Sequence, residues 1–344
     1  MSAASWKQRP EGGGRFALGL IRAIGRYGGR TVARLLLHPI TLYFLLRRAP
    51  ERRASIQFLT RALGRPARLR DGARHIHAFA STILDRIFLL QGDMRRFDIR
   101  IHGLDLVEPV LDRGQGMLLF GSHLGSFEVL RVLSRRRPAT DIRVVLDKGH
   151  NPALTQLLDD LDPAIALGII DGGQDGPSLM LAIQQAVEAG SLVALLVDRV
   201  YPGQSSVEVS FLGHPAPLPQ APWLVAAVLK VPVMLAFGLY RGGNRYDVIF
   251  EAFSDGVQLT RQQRATGLPA LIRGYAARLE HHARQAPYNW FNFYDFWTDG
   301  DAERTDEGAR GHQIDGPAGR DGGRHDRHDR RDGNAAGGVG PAER

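Results

Sequence analysis

The sequence predicts an α/β domain with a mixed, mostly parallel central sheet flanked by helices, preceded by a helical arm and followed by a polar tail. Three observations predict it. Short apolar runs at 117–120, 143–146, 192–197, 231–239 and 246–250 alternate with helix-length segments at 126–134, 152–161, 177–189, 221–229 and 267–285. That alternation is the trace of strands joined by covering helices. The 344 residues are 44% hydrophobic, enough to close a core in one large domain or two small ones. The two ends differ from the middle in charge and apolar content, which sets an arm at 1–50, a domain at 51–299 and a tail at 300–344.

In the arm, Arg22, Arg26, Arg30 and Arg34 recur every four residues, along one stripe of a helix. Leu35 to Leu46 follows without formal charge, contains Pro39, and is closed by Arg47 and Arg48. A spanning helix needs about 20 apolar residues. Residues 16–48 therefore read as an amphipathic helix lying on a membrane, its arginines toward phospholipid headgroups. A helix packed on the main domain with a solvated arginine face is the alternative. The first fifteen residues, rich in glycine and charge, lack the order of a secretory signal.

From 52 to 92 the pattern is helical, with Ile76, Phe79, Ala80, Ile83, Ile87 and Leu90 at three-to-four spacing. Residues 97–104 read as a strand and turn, and the alternation of strands and helices follows. Residues 301–344 hold no Phe, Trp or Tyr and are rich in Gly, Asp, Arg and His, so they are expected to be disordered.

The net charge of +8 is concentrated at one end. Residues 1–74 carry 16 basic side chains against Glu11, Glu51 and Asp71, whereas 75–300 is slightly acidic. A nucleic-acid enzyme would carry its basic surface around the working domain. Anionic membrane lipid is the expected partner, and nucleic acid is not. The absence of cysteine excludes a disulfide scaffold, a thiolate zinc site, an iron–sulfur cluster and a cysteine nucleophile. No His/Asp/Glu triplet has ligand spacing, so neither a metal nor a cofactor is expected.

The sharpest feature is Met117–Glu128, MLLFGSHLGSFE. An apolar strand ends in small residues and a histidine, at the edge where α/β sheets place their ligands. Five residues on a regular helix leave side chains roughly 140° apart, so His123 and Glu128 meet only if His123 lies in the entry turn and Gly125 lets the chain fold back. The carboxylate would then hold one imidazole nitrogen while the other takes a proton from a substrate hydroxyl. Open amides at the helix start would steady negative charge on the reacting carbonyl. A histidine satisfied within a strand-to-helix turn is the plain alternative. Neither Ser122 nor Ser126 sits in a nucleophile elbow, and no phosphate loop or calcium loop is present.

Residues 97–298 resemble the lysophospholipid acyltransferase superfamily, whose signature is His-x4-Asp/Glu, and within it the bacterial late lipid A (lauroyl/myristoyl) acyltransferases. The stretches that carry the resemblance are Gly121–Glu128, Ala189–Asp198, Val209–Ala216 and Val231–Val233, in family order. The aromatic ending Tyr288–Trp297, YNWFNFYDFW, is similar to the terminal motif of these enzymes, in the form found in acyltransferases encoded beside aryl polyene genes. The resemblance implies a glycerolipid-acyltransferase-like fold. It also implies transfer of a fatty or polyene acyl chain from an acyl carrier protein thioester to a hydroxyl of lipid A or another lipid-linked acceptor. The place implied is the cytoplasmic face of the inner membrane, with peripheral attachment.

In these terms His123 is the general base and Glu128 its orienting partner. Asp198 binds acceptor or supports the site, Phe211 and Gly213 shape the acyl pocket, and Lys148 meets a phosphate or phosphopantetheine. Arg199 stands where the family often has Gln and Pro217 where it has Thr, departures that fall in the region of acceptor recognition. As ordinary structure, Asp198 would cap or turn a loop, Phe211 and the aromatic decapeptide would pack the core, and Lys148 and Arg199 would be solvated. A catalytically inactive lipid-binding or assembly protein of this fold, or an acyl thioesterase, are the other readings.

Overall fold

The computed structural model describes residues 15–149, 168–201, 203–260 and 262–297, with the side chains of 15–28 and 135 excepted. The helix predicted at 152–161 and the tail at 300–344 lie outside the described residues. The chain runs α1 (Arg15–Arg47), α2 (Ala49–Leu63), α3 (Leu69–Leu90), β1 (Asp98–His102), α4 (Leu104–Asp112), β2 (Met117–Gly121), a 3-10 turn (Phe127–Arg131), α5 (Val132–Arg136), β3 (Ile142–Leu146) and β4 (Ile169–Asp171). It continues through α6 (Gly176–Glu188), β5 (Leu192–Leu196), β6 (Ser206–Phe211), β7 (His214–Pro219), α7 (Ala221–Leu229), β8 (Val233–Tyr240), β9 (Arg245–Ser254) and α8 (Arg264–Gln285).

Seven strands form one sheet in the order β1-β9-β8-β2-β5-β3-β4, parallel at every pairing except β8 with β9. This is the mixed, mostly parallel sheet the sequence predicts. β2 lies near the middle, and all five of its residues are buried. Its alternate side chains serve two cores. Leu118 and Phe120 face α6, α7 and α8, while Met117 and Leu119 face α1, α3 and α4. A strand covered on both faces reads as an unbroken apolar run, which is why β2, β5 and β8 are legible without alternation. The β6–β7 hairpin is absent from the sequence-based elements because prolines at 215, 217 and 219 obscure its strand signal.

The expected helical stretch 52–92 is two helices. Gly64 in the left-handed conformation ends α2, and α3 begins where Arg68 N donates to the Asp71 carboxylate and Asp71 N to Arg68 O. The helix expected at 126–134 divides into the 3-10 turn and the five-residue α5.

α1 kinks at Gly29 and then lies along α3. Ala33, Leu37, Thr41 and Leu45, spaced by four, face inward. Arg30 and Arg34 share that inward side. Arg30 pairs with buried Asp85 through Nε–Oδ1 (2.7 Å) and Nη2–Oδ2 (2.8 Å), and Tyr246 Oη donates to the same carboxylate. Arg34 donates to Gly243 O and Tyr240 Oη. These two members of the arginine stripe therefore bind the protein, not headgroups. The opposite face exposes Leu35 (64%), Leu42 (55%), Tyr43 (57%) and Leu46 (65%). Among the described residues, no helix is long and apolar enough to cross a membrane.

Candidate active site

The site grows from the register of two adjacent strands. β2 and β5 pair in parallel with Gly121 opposite Leu196, and Val197 N donates to Gly121 O at 3.1 Å. Two residues beyond that last rung, past the ends of the two neighbouring strands, stand His123 and Asp198. The ladder that aligns the strands thus aligns the two side chains. His123 Nδ1 lies 2.7 Å from Asp198 Oδ1, and the His123 backbone N–H donates to Oδ2 at 3.0 Å. Asp198 is fully buried, while the His123 side chain keeps 23% exposure toward the carboxyl edge of the sheet. Since the carboxylate accepts, Nδ1 carries the hydrogen in the neutral ring, and Nε2 is the nitrogen turned away from Asp198.

Burial alone would push the Asp198 carboxyl up. The His123 imidazole and its hydrogen bonds, with the Arg199 charge next door, outweigh it and hold the group at about 2. Two further donors come from the end of the domain. Trp290 Nε1 donates to Asp198 Oδ2 at 2.9 Å, and Asn292 Nδ2 to the same oxygen at 3.2 Å.

Glu128, expected to hold the imidazole, is placed differently. It lies 2.5 Å from Arg86 Nε on α3 and accepts from Ser126 Oγ at 3.0 Å. The cause is the path of the turn. Gly125 adopts φ +83°, and a Cβ there would sit 2.0 Å from Gly238 O. Gly238 faces the same constraint, since its Cβ would meet Ser126 O at 2.0 Å. The turn crosses β8 backbone to backbone, which points Glu128 toward α3. Two amides that lead into the 3-10 turn are consumed by this packing. Gly125 N donates to Asn289 O and Ser126 N to Gly238 O.

The remaining residues fall at graded distances from this pair. Arg199 donates from Nε to Asn292 Oδ1 (2.6 Å) and from Nη2 to Phe291 O (3.0 Å), and lies over the Tyr294 ring. Phe211 is buried among Trp290, Phe296 and Trp297, in aromatic packing. Leu212 and Gly213 both take positive φ, as a two-residue hairpin turn requires, and Gly213 is the exposed tip. Lys148 follows β3, two strands from β2 at the same edge, with its backbone N–H on Asp171 Oδ1. Among the described residues, no group of three or more His, Asp or Glu is placed to hold a metal ion.

Trp290 and Asn292 went unassigned from sequence, where the decapeptide reads as packing. The signal was present in two asparagines, Asn289 and Asn292, set among aromatic residues that bury them.

Among curated proteins none matches the chain. The profile of the bacterial lipid A biosynthesis acyltransferases matches residues 79–298. Because that span holds the whole sheet, the His123–Asp198 pair and the segment that clamps it, the chain belongs to this family and is an acyltransferase.

Proposed function

We propose that this acyltransferase moves an acyl chain from an acyl carrier protein thioester to a hydroxyl of lipid A or another lipid-linked acceptor. His123 acts as the general base. The observation that carries this reading is the 2.7 Å bond from His123 Nδ1 to a buried, ionised Asp198, which fixes the tautomer that presents a basic Nε2. Nε2 takes the hydroxyl proton as the oxygen attacks the thioester carbonyl. The carbon–sulfur bond then breaks, and the imidazolium returns the proton to the departing thiolate. Ester and free thiol are the products, and no metal or redox partner enters the balance.

Asp198 positions the imidazole and stabilises its cation, the part played by the carboxylate in other histidine-based acyl-transfer sites. Glu128, tied to Arg86 and Ser126, shapes the turn that carries His123. Lys148, at the same edge, is suited to a phosphate or phosphopantetheine group. Membrane attachment is the work of the outward face of α1, with Leu35, Leu42, Tyr43 and Leu46 exposed beside Arg47.

The test incubates the purified protein and its His123→Ala variant with membranes from cells lacking the gene and radiolabelled acyl–carrier-protein thioesters. Lipids are then read by mass spectrometry. A new acylated lipid that falls by 10²–10⁴-fold, about the range for losing a general base, in the variant supports the reading. Free fatty acid as the sole His123-dependent product makes the protein a thioesterase. No His123-dependent product, with the protein still bound to the membranes, favours a non-catalytic lipid-binding role.

A further inference from the structure

The turn that carries His123 is gripped on two sides. On one side it crosses β8 at Gly238. On the other, Asn289 to Asn292 runs against it like a short strand. Leu124 and Trp290 form an antiparallel bridge, Phe291 N donates to His123 O at 2.8 Å, and Gly125 N donates to Asn289 O at 2.8 Å. The segment is anchored independently of the site. The Asn289 side chain accepts from Tyr240 N and donates to Tyr240 O, completing the end of β8. Trp290 O is bound by Nε2 of the fully buried His75 at 2.9 Å, and His75 Nδ1 faces Ser55 Oγ at 2.8 Å.

Within this grip Asn292 does what neither an acid nor an amine would do in its place. Its amide nitrogen donates to Asp198 Oδ2, and its amide oxygen accepts from Arg199 Nε. Arg199 is next to Asp198 in sequence and its fork matches a carboxylate. Its hydrogen bonds here nevertheless go to the Asn292 amide oxygen and the Phe291 carbonyl. We propose that Asn292 is a positioning residue that holds Asp198 toward His123 while keeping the Arg199 guanidinium off it, and that residues 289–292 form the clasp that seats it. The proposal rests on the reading of His123 as the base and adds what keeps its carboxylate partner available.

The other groups around the pair do not supply this function. Tyr275 of α8, buried, and Tyr294 beyond the clasp, half-buried, are phenols kept protonated by desolvation and by the Asp198 charge. Glu128 and Arg86 are paired across the 3-10 turn, and burial holds His75 neutral at about 4.

The experiment titrates the His123 imidazole by nuclear magnetic resonance in the full chain. The protein carries ring-labelled histidine, and the resonance lost in His123→Ala identifies the signal among the 12 histidines. Asn292→Asp supplies a second carboxylate for Arg199 to bind and adds negative charge near the ring, so the His123 midpoint rises by about one unit. Asn292→Ala lets Arg199 turn onto Asp198 and neutralise it, so the midpoint falls by about one unit. Where Asn292→Ala fails to give a cooperative melt, Asn292→Ser takes its place with a smaller fall expected.

Shifts of opposite sign establish the clasp, since a merely structural role lowers stability without moving the midpoint in two directions. Midpoints unchanged in both variants, or moved the same way, overturn it. The readout is independent of turnover. Opposite shifts in a protein that shows no acyl transfer remove the functional reading and keep the clasp, and transfer with unmoved midpoints does the reverse. Where transfer is observed, Asn292→Asp loses about tenfold in kcat/KM below the midpoint and recovers at high pH.

Discussion

Two apolar stretches, Leu35–Leu46 in α1 and Tyr288–Trp297 after α8, are built in opposite senses. In α1 two arginines turn inward while several large apolar side chains turn out. Arg30 and Arg34 reach Asp85, Gly243 and Tyr240, while Leu35, Leu42 and Leu46 stay exposed. In the C-terminal stretch Trp290, Phe291, Phe296 and Trp297 are buried, and Trp290 Nε1 and Asn292 Nδ2 donate to Asp198. What separates the two is where their hydrogen bonds go. A buried amide or indole N–H gains from a partner; for the Trp290 indole and the Asn292 amide that partner is Asp198, and for the Asn289 amide it is Tyr240 O. A helix satisfies its own backbone and can leave an apolar face outward for a lipid surface.

The sharpest way to break this comparison is at the carboxylate the C-terminal stretch serves. Asp198→Asn keeps the shape and removes the charge, and acyl transfer falls by roughly 10³–10⁴-fold with the circular dichroism unchanged. A fall under tenfold would detach Asp198 from the chemistry. On the α1 side, Asp85→Asn leaves Arg30 facing a neutral amide. Stability drops by about 3 kcal/mol, read as a melting temperature lower by roughly 6–12 °C, with kcat retained. A loss of kcat without a loss of stability would contradict the purely anchoring role of that pair.

The third test uses pH. Trp290 O can only accept, so the neutral His75 carries its hydrogen on Nε2, and Ser55 Oγ donates to Nδ1. Burial lowers this group from its ordinary 6.5 to about 4. Below pH 6.5 the unfolded chain binds a proton that the folded chain refuses, so stability from neutral His75 is present above 6.5 and is lost as pH falls toward 4. Between pH 7 and 5 the loss is about 2 kcal/mol. His75→Gln, which does not titrate, flattens that part of the stability curve; an unaltered slope would assign the acid loss elsewhere. The smallest effect belongs to the outward leucines. Leu35→Glu, Leu42→Glu and Leu46→Glu together weaken binding to anionic vesicles by about tenfold or more and leave the melting temperature within 2 °C or so. Unchanged binding would place the membrane contact outside this face.

Much of the sheet was readable because its strands are buried on both faces and its helices carry a clear period. β2, β5, β8 and the helix 221–229 appear where the apolar runs place them. What stayed hidden depends on pairing. His123 and Asp198 both stand at strand ends in the sequence, but only the β2–β5 register brings them together, and register is a property of two strands at once. Glu128, five residues from His123, looked like the nearer carboxylate. The mutual approach of Gly125 and Gly238 sends it to Arg86 instead. The arginine stripe of α1 was visible too, but its partner, Asp85, lies in the middle of another helix with no local mark of its role.

The clasp also fixes when the site can come into being. His123 and Asp198 leave the ribosome long before Trp290 and Asn292, the residues that supply two of the hydrogen bonds to the buried carboxylate. In the proposed mechanism a growing chain therefore holds its base and acid partner without the groups that seat them, and acyl-transfer competence arrives with the last aromatic residues of the domain. Cutting just before residue 289 would remove both donors together with core aromatics, so the proposed chemistry waits on residues made more than 90 positions after Asp198.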